Sequence, residues 1–202
     1  MRSNIARQAI YNAEQQIIAY ELLFRDGQCD VFPCVPSEWA TQSVLNDVYT
    51  NRQDSAEQIS GGLPCFVNFS HQSLIDGIAF QYPAQDLIIE VLEDCSADTA
   101  LYQALLLHKS RGYKIALDDF IPTSEWLPFL DLVDIVKIDF RAQTLEQIAR
   151  FVGKFRPKFH FELLAEKIET EEEYRIAKAL GFDFFQGYQL SKPERVFVPN
   201  VA

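Results

Sequence analysis

Apolar runs of about four to eight residues, rich in β-branched and aromatic side chains and bounded by turn residues, recur along this chain and predict strands. The first is Ile5–Tyr11. Asn12-Ala13-Glu14 reads as a turn into a second strand, Gln16–Phe24, so the chain opens on a hairpin. Further strands are expected at Pro64–Phe69, Asp86–Leu92, Tyr113–Asp118, Val133–Ile138, His160–Ala165 and Phe182–Gln186. Helical patterns lie between them. Ser37 is expected to cap Glu38–Asn51, whose apolar residues are Trp39, Val44, Leu45 and Val48. Ser96 is expected to cap Ala97–Ser110. Leu145, Ile148, Ala149 and Val152 repeat at helical spacing in Thr144–Lys154. Thr170 with Glu173 forms a capping box opening Glu171–Leu180, and Gly181 stops that helix. Strands alternating with helices imply parallel pairing through crossovers. Six strands after the hairpin predict an α/β fold, a compact (β/α) barrel. At 202 residues it falls below the usual size of about 250, so short loops or a missing helix are expected. No Pro or Gly break looks like an interdomain linker, and residues 1–202 read as a single domain.

Composition narrows the class. Hydrophobic residues make up 48% and charged residues 23% of the chain, as in ordinary globular proteins. No apolar run approaches the roughly 18 residues of a membrane span, so no membrane insertion is expected. The opening MRSNIARQAIYNAEQQ lacks the pattern of a signal peptide. Cys29, Cys34, Cys65 and Cys95 form no CxxC pair, and Cys65 and Cys95 read as packed thiols of a reducing cytoplasm. The net charge is −11, from 18 Lys and Arg against 29 Asp and Glu. That sign disfavours DNA, RNA or an anionic membrane as partner. It leaves room for a small phosphate ligand bridged by metal ions.

The candidate chemistry sits where the predicted strands end. The early strand IAYELLFRD holds Glu21 and Arg25, and Asn68 ends PCFVNFS. Glu90 and Glu93 belong to DLIIEVLED, Asp118 and Asp119 to YKIALDDF, and Lys137 and Asp139 to DIVKIDF. Glu166 and Glu169 follow FELLA, and Gln186 ends FDFFQ. Any one of these could be a strand end meeting water. Glu21, Glu90 and Lys137 are different, because each lies inside an apolar run and a desolvated charge needs a partner. The oxygen ligands Glu21, Asn68, Glu90, Asp118 and Asp119 favour Mg²⁺ or Mn²⁺ over Zn²⁺. Adjacent Asp118 and Asp119 can serve two ions about 3.5–4 Å apart, the geometry used on phosphoesters. Lys137 beside them can balance phosphate charge or orient a nucleophile. His71, His108 and His160 form no zinc pattern. Trp39 and Trp126 read as packing residues.

The order YELLFR, VNFS, IIEVLED, ALDDF, IVKIDF, LLAEKIET and GFDFFQGYQLSKP resembles the EAL domain, a family of cyclic di-GMP phosphodiesterases with a TIM-like barrel. The likeness runs from about Ile5 to Pro193 and is greatest to the EAL half of EAL–HDOD proteins. It implies that Glu21, Asn68, Glu90 and Asp118 bind one metal ion and Asp119 a second. It further implies that Lys137 is the catalytic lysine near the attacking water, and that Arg25 contacts a substrate phosphate. Glu166 and Gln186 match the acidic residue of A-E-G-V-E and the glutamine of Q-G-Y, and Glu93 matches a glutamate bracing the loop after the Asp pair. The implied activity is that of a bacterial signalling domain, a cytoplasmic cyclic-guanylate-specific phosphodiesterase. It would open cyclic di-GMP to the linear dinucleotide with Mg²⁺ or Mn²⁺. The alternative is a degenerate module that binds cyclic di-GMP or a protein partner without turnover. A homodimer, or a fused or partner signalling domain, is compatible with both.

Three departures from the family pattern bear on that choice. Ile121-Pro122-Thr123 stands where Gly-Thr-Gly is usual. Phe140–Gln143 is shorter than the usual segment after Asp139. Lys167 replaces the glycine of A-E-G-V-E, either as a solvated side chain or as a charge at the barrel mouth.

Overall fold

The computed structural model describes residues 5–25, 35–50 and 59–196. Cys29, Cys34 and Asn51 lie outside them. Strands β1 (Ile5–Asn12) and β2 (Ile17–Phe24) form the expected antiparallel hairpin. Then come β3 (Cys65–Phe69), β4 (Leu87–Val91), β5 (Lys114–Leu117), β6 (Ile135–Asp139), β7 (Glu162–Glu166) and β8 (Phe184–Phe185). Each of β2 to β7 pairs in parallel with the next. β1 closes the barrel by pairing antiparallel with both β2 and β8. The result is an eight-stranded closed barrel with helices, as the alternation predicts. A short β9 (Glu194–Arg195), absent from the sequence expectation, pairs with Ala6 and Arg7 beyond the end of β8. It covers a stretch of β1 edge that the two-residue β8 cannot reach.

Alternation along the strands builds the interior in two layers. Ile10, Ala19, Phe66, Ile88, Ala116, Ile135 and Leu164 form one buried apolar cluster, with Phe184 against it. Two residues further toward the C-terminal ends of the parallel strands stand Glu21, Asn68, Glu90, Asp118, Lys137, Glu166 and Gln186. Side chains two apart on a strand share a face. An apolar floor therefore dictates that this polar set points into the same interior, one layer nearer the mouth. Antiparallel β1 contributes Gln8 two residues before Ile10. The opposite faces pack outward into the larger core, where Val67, Phe69, Ile89, Val91, Ile115, Val136 and Leu163 meet the helices.

The connections are α1 (Ser37–Leu45) continuing into a π-turn at Asn46–Thr50, α2 (His71–Ile75), α3 (Thr99–Ser110), α4 (Leu145–Phe155) and α5 (Glu171–Ala179). Two expected caps are corrected. Ser37 is itself helical, behind Pro36, and its side chain caps nothing; its carbonyl instead accepts from the Thr41 hydroxyl at 2.9 Å. Asp98, not Ser96, caps α3 by accepting from the Leu101 amide at 2.8 Å, and a carboxylate at that end also favours the helix dipole. The Thr170–Glu173 capping box is formed, and Thr144 makes a second one with Gln147. Helix α2 was not foreseen, because its five residues are too few to show a period. β5 and β6 are joined without an α-helix by a 3₁₀ turn at Leu127–Asp131, which opens on Pro128. This is the expected missing helix. Trp126 packs on Phe129 at 4.9 Å, but Trp39, in a T-shaped contact with Phe24, is 52% exposed, so it is not a core residue. Cys65 and Cys95 are buried, and burial first of all pushes both thiols up to about 12.

Two glycines separate backbone freedom from close packing. Gly181 ends α5 with φ +86°, and a Cβ there would meet nothing. Gly187 has φ +155°, and a Cβ there would overlap the backbone of Ile168. The Ile168 amide donates to the Gln186 carbonyl at 3.1 Å, so the β7 and β8 ends are laced together at this point. Gly181→Ala is expected to cost about 1 kcal/mol, and Gly187→Ala about 3 kcal/mol. Urea unfolding of both variants tests the ranking; equal midpoints would refute the packing argument at Gly187.

Candidate functional site

The barrel mouth is organised around one amine. Lys137 is 1% exposed at the centre of β6, and its ammonium donates to Glu90 and, at 2.7 Å, to Asp118. It also pairs with Glu166 at 2.8 Å and Glu21 at 3.8 Å. Four strands thus deliver carboxylates to one cation, which answers the desolvation that made Glu21, Glu90 and Lys137 conspicuous. Gln186 from β8 donates to Glu21 at 2.8 Å and holds its second oxygen. The donors do not exhaust the acceptors. Asn68 Oδ1, Glu90 Oε2 and Glu166 Oε2 are buried without a hydrogen-bond partner among the described residues. Buried oxygens of this kind are costly unless something satisfies them.

One oxygen each from Asp118, Asp119 and Glu166 lie within 4.8 Å of one another, close enough to hold one ion. This trio includes Glu166 beside the two adjacent aspartates. Asp119 adopts the left-handed φ +40° and lines the mouth. There it meets Lys167, whose ammonium lies 3.2 and 3.4 Å from its two oxygens and also bonds Asp139. The other Asp139 oxygen accepts the Arg141 and Ala142 amides, so this carboxylate shapes the short turn after β6. Asp139 and Lys167 were given no partnership in the sequence reading. The ion pair joins residues 28 positions apart and depends on a left-handed backbone at Lys167, φ +56°. The charge-compensating reading of Lys167 is the one the structure bears out.

The remaining candidates lie around the rim. A cavity of about 330 Å³ is lined by Glu21, Arg25, Asp118, Asp119, Lys137, Glu166, Lys167 and Gln186, together with Gln8 and Tyr188. A second, of about 290 Å³, runs along α1 past Asn68, Glu93 and Asp94. The two share Leu23, Asp118 and Asp119, so an elongated ligand lying across both has its middle over the aspartate pair. Glu93 is exposed and, among the described residues, makes no hydrogen bond to the segment after Asp119 that it was expected to brace. His71 pairs with Asp98 at 3.2 Å, and buried His108 bonds the Ala104 carbonyl, so neither reaches the site. Gln8 and Tyr188 escaped the sequence reading. The signal for Gln8 was a polar side chain at an inward position of β1.

Electrostatics follow from the burial. Burial, with Glu166 and Glu21 nearby, raises the Asp118 carboxyl well above the usual carboxylate range. Burial raises Glu166 to about 7; Lys137 opposes that rise and Glu21 adds to it. Burial also raises Asp139, but the Lys167 bond and the Arg141 amide outweigh it and hold the group low. Partial burial works against the Lys167 charge, yet Asp139 and Asp119 overcome it and raise its pKa. The folded state therefore retains a proton on Glu166 that the unfolded chain, with a value near 4.5, gives up. Its contribution to stability is present below that value and falls as pH rises through about 7. With metal chelated, thermal unfolding is expected at lower temperature at pH 8 than at pH 5.5. Glu166→Gln should flatten that slope, and an unchanged slope would refute the assignment.

Comparison with known proteins agrees with this architecture. The family model for the EAL domain matches residues 37–193. The cyclic di-GMP phosphodiesterase CdgJ of Vibrio cholerae is 39% identical over 196 residues, covering 94% of this chain and 44% of that protein. YuxH of Bacillus subtilis is 34% identical over 198 residues, covering 96% of this chain and 48% of that protein. The chain thus spans about half the length of these curated relatives. Among solved structures, Bacillus subtilis YkuI, crystallised with cyclic di-GMP as substrate and calcium, superposes with a TM-score of 0.70 at 23% identity. The match covers 96% of this chain and 55% of that one. On the family match and the identity to these relatives, the chain belongs to the EAL domain family.

Proposed function

We propose that this chain is a phosphodiester hydrolase that opens cyclic di-GMP to the linear dinucleotide. The observation that carries the reading is the buried Lys137 ammonium among Glu21, Glu90, Asp118 and Glu166, with three neighbouring oxygens still unsatisfied. Four carboxylates surround one buried ammonium and Asp119 stands beside them, and that donor set suits a hard divalent ion. Glu21, Asn68, Glu90 and Asp118 would hold one Mg²⁺ or Mn²⁺, and Asp119 with Asp118 and Glu166 a second. A bound ion supplies Lewis-acid polarisation of phosphate and a more acidic water. Arg25, on the rim, contacts a substrate phosphate. Lys137 orients the attacking water and offsets charge developing on phosphorus. Glu166, bonded to Lys137 at the mouth, takes the proton that water loses as the new P–O bond forms and the ester P–O bond breaks. Two cavities meeting at Asp118 and Asp119 suit a ligand with a base at each end and a phosphate between.

The runner-up is a module that binds cyclic di-GMP or a protein partner without turnover. The Lys167–Asp119 contact and the stiff Ile121-Pro122 segment favour it. We read residues 1–202 as a single EAL-like unit acting in the cytoplasm. Its motif variants YELLFR and LLAEKIET support kinship with the EAL half of EAL–HDOD proteins. A homodimer or a partner signalling domain fits the same picture.

Incubating the purified protein with cyclic di-GMP and Mn²⁺, followed by chromatography, should yield the linear product; none would favour the runner-up. Glu21→Ala is expected to abolish hydrolysis while leaving the fold intact, because it removes a carboxylate without emptying the apolar core. Turnover near wild type would sink the role of Glu21. Pro122 fixes φ and removes an amide, and it biases Ile121 to an extended conformation. Restoring Gly-Thr-Gly at 121–123 should raise turnover and the affinity for the second ion. If both stay unchanged or fall, the short turn Phe140–Gln143 is the better suspect.

A further inference from the structure

Lys167 occupies a backbone conformation that costs a lysine about 1–2 kcal/mol, and the surrounding structure enforces it. Its neighbour Ile168 is fixed from both sides, its amide donating to Gln186 and its carbonyl accepting from Gln189 at 3.0 Å. Gly187 leaves no room for that segment to shift. Among the described residues, Gln15, Asp119 and Lys167 are the non-glycine positions with positive φ. Gln15 lies in the hairpin turn. The other two face each other across the mouth and are joined by their side chains. Asp139 holds the Lys167 ammonium independently of Asp119, because its own position is set by two backbone amides. The ammonium is thus delivered to Asp119 from a fixed anchor. It lies beside both oxygens of an aspartate whose other neighbours are Asp118 and Glu166.

We propose that Lys167 is a tethered cation that competes with a divalent ion for Asp119. Resting on the hydrolase reading above, the inference names what regulates that site. A divalent ion shared by Asp118, Asp119 and Glu166 would lie next to the ammonium and be repelled by it. Binding then requires Lys167 to swing away from Asp119, which it can do because its side chain is 49% exposed. Asp139 and water receive it when it moves. The second ion is therefore held more weakly than the first. The fully loaded site forms only at high divalent concentration, which makes the free Mg²⁺ or Mn²⁺ level a control on turnover.

The test is Mn²⁺ titration followed by electron paramagnetic resonance, which distinguishes free from bound ion without any turnover. It is run on wild type, K167A, K167G and K167R, each checked for folding by thermal melting. K167A removes the charge and keeps the unfavourable backbone, whereas K167G removes both. The wild type is expected to bind one ion tightly and a second weakly. K167A and K167G should both tighten the second site by at least about tenfold, the scale of removing a like charge from a partly solvated site. K167R, which keeps the charge, should titrate like wild type. Equal second-site affinity in wild type and K167A, or equal tightening in K167R, overturns the Lys167 assignment alone. Absence of Mn²⁺ binding in wild type and every variant overturns it together with the metal-dependent hydrolase reading.

Discussion

Four carboxylates converge on the Lys137 ammonium, and the barrel mouth depends on that single point of charge balance. A buried carboxylate cluster repels itself, and a buried ammonium is costly alone; together they can be folded into a nearly dry interior. Lys137 comes from β6, while its partners come from β2, β4, β5 and the end of β7. The contact therefore does more than cancel charge. It ties the strands together at their C-terminal ends, where parallel pairing alone leaves them free to splay. The balance is incomplete. Three buried oxygens lack partners, and the residual negative potential points into the cavity that Arg25 overlooks.

Much of this was legible in the sequence, for a reason visible at individual positions. Glu90 sits in LIIEV and Lys137 in IVKID, strands buried along their whole length. A charge there breaks an otherwise apolar run and must be answered by another. In the folded chain the period of two sets these side chains on the same interior face as the apolar floor. What escaped has equally local causes. Asp98 outcompeted Ser96 as a cap because both are good capping residues two positions apart, and only the geometry of the helix start decides. β9 is two residues long and exists because β8 is too short to cover β1. Trp39 looked like core by residue type, yet it stands near the start of α1, half exposed, in an edge-to-face contact with Phe24. The Lys167–Asp139 pair depends on a backbone dihedral and a distant aspartate, neither of which leaves a pattern in composition or spacing.

The fold and the chemistry are secured by different layers of the same strands. Ala19, Phe66, Ile88, Ala116, Ile135 and Leu164 make the floor, and the polar set stands above it. The family relationship follows from both layers together. Differences between members of such a fold are expected above the floor and in the connections. There, this chain places Lys167, Pro122 and the short turn after Asp139.

Closure by β1 also sets the order in which the molecule can be completed. The strand at residues 5–12 must wait for residues 184–195 before its outer edge is covered, and Gln186 reaches Glu21 across 165 positions. During synthesis, the hairpin and the parallel strands can form as they emerge, but the ring stays open until nearly the last described residues are made. A nascent chain paused before β8 would expose the free edge of β1 and a mouth lacking Gln186. Such an edge is a template for pairing with another chain, so the open ring is the stage at which this protein is most exposed to misassembly.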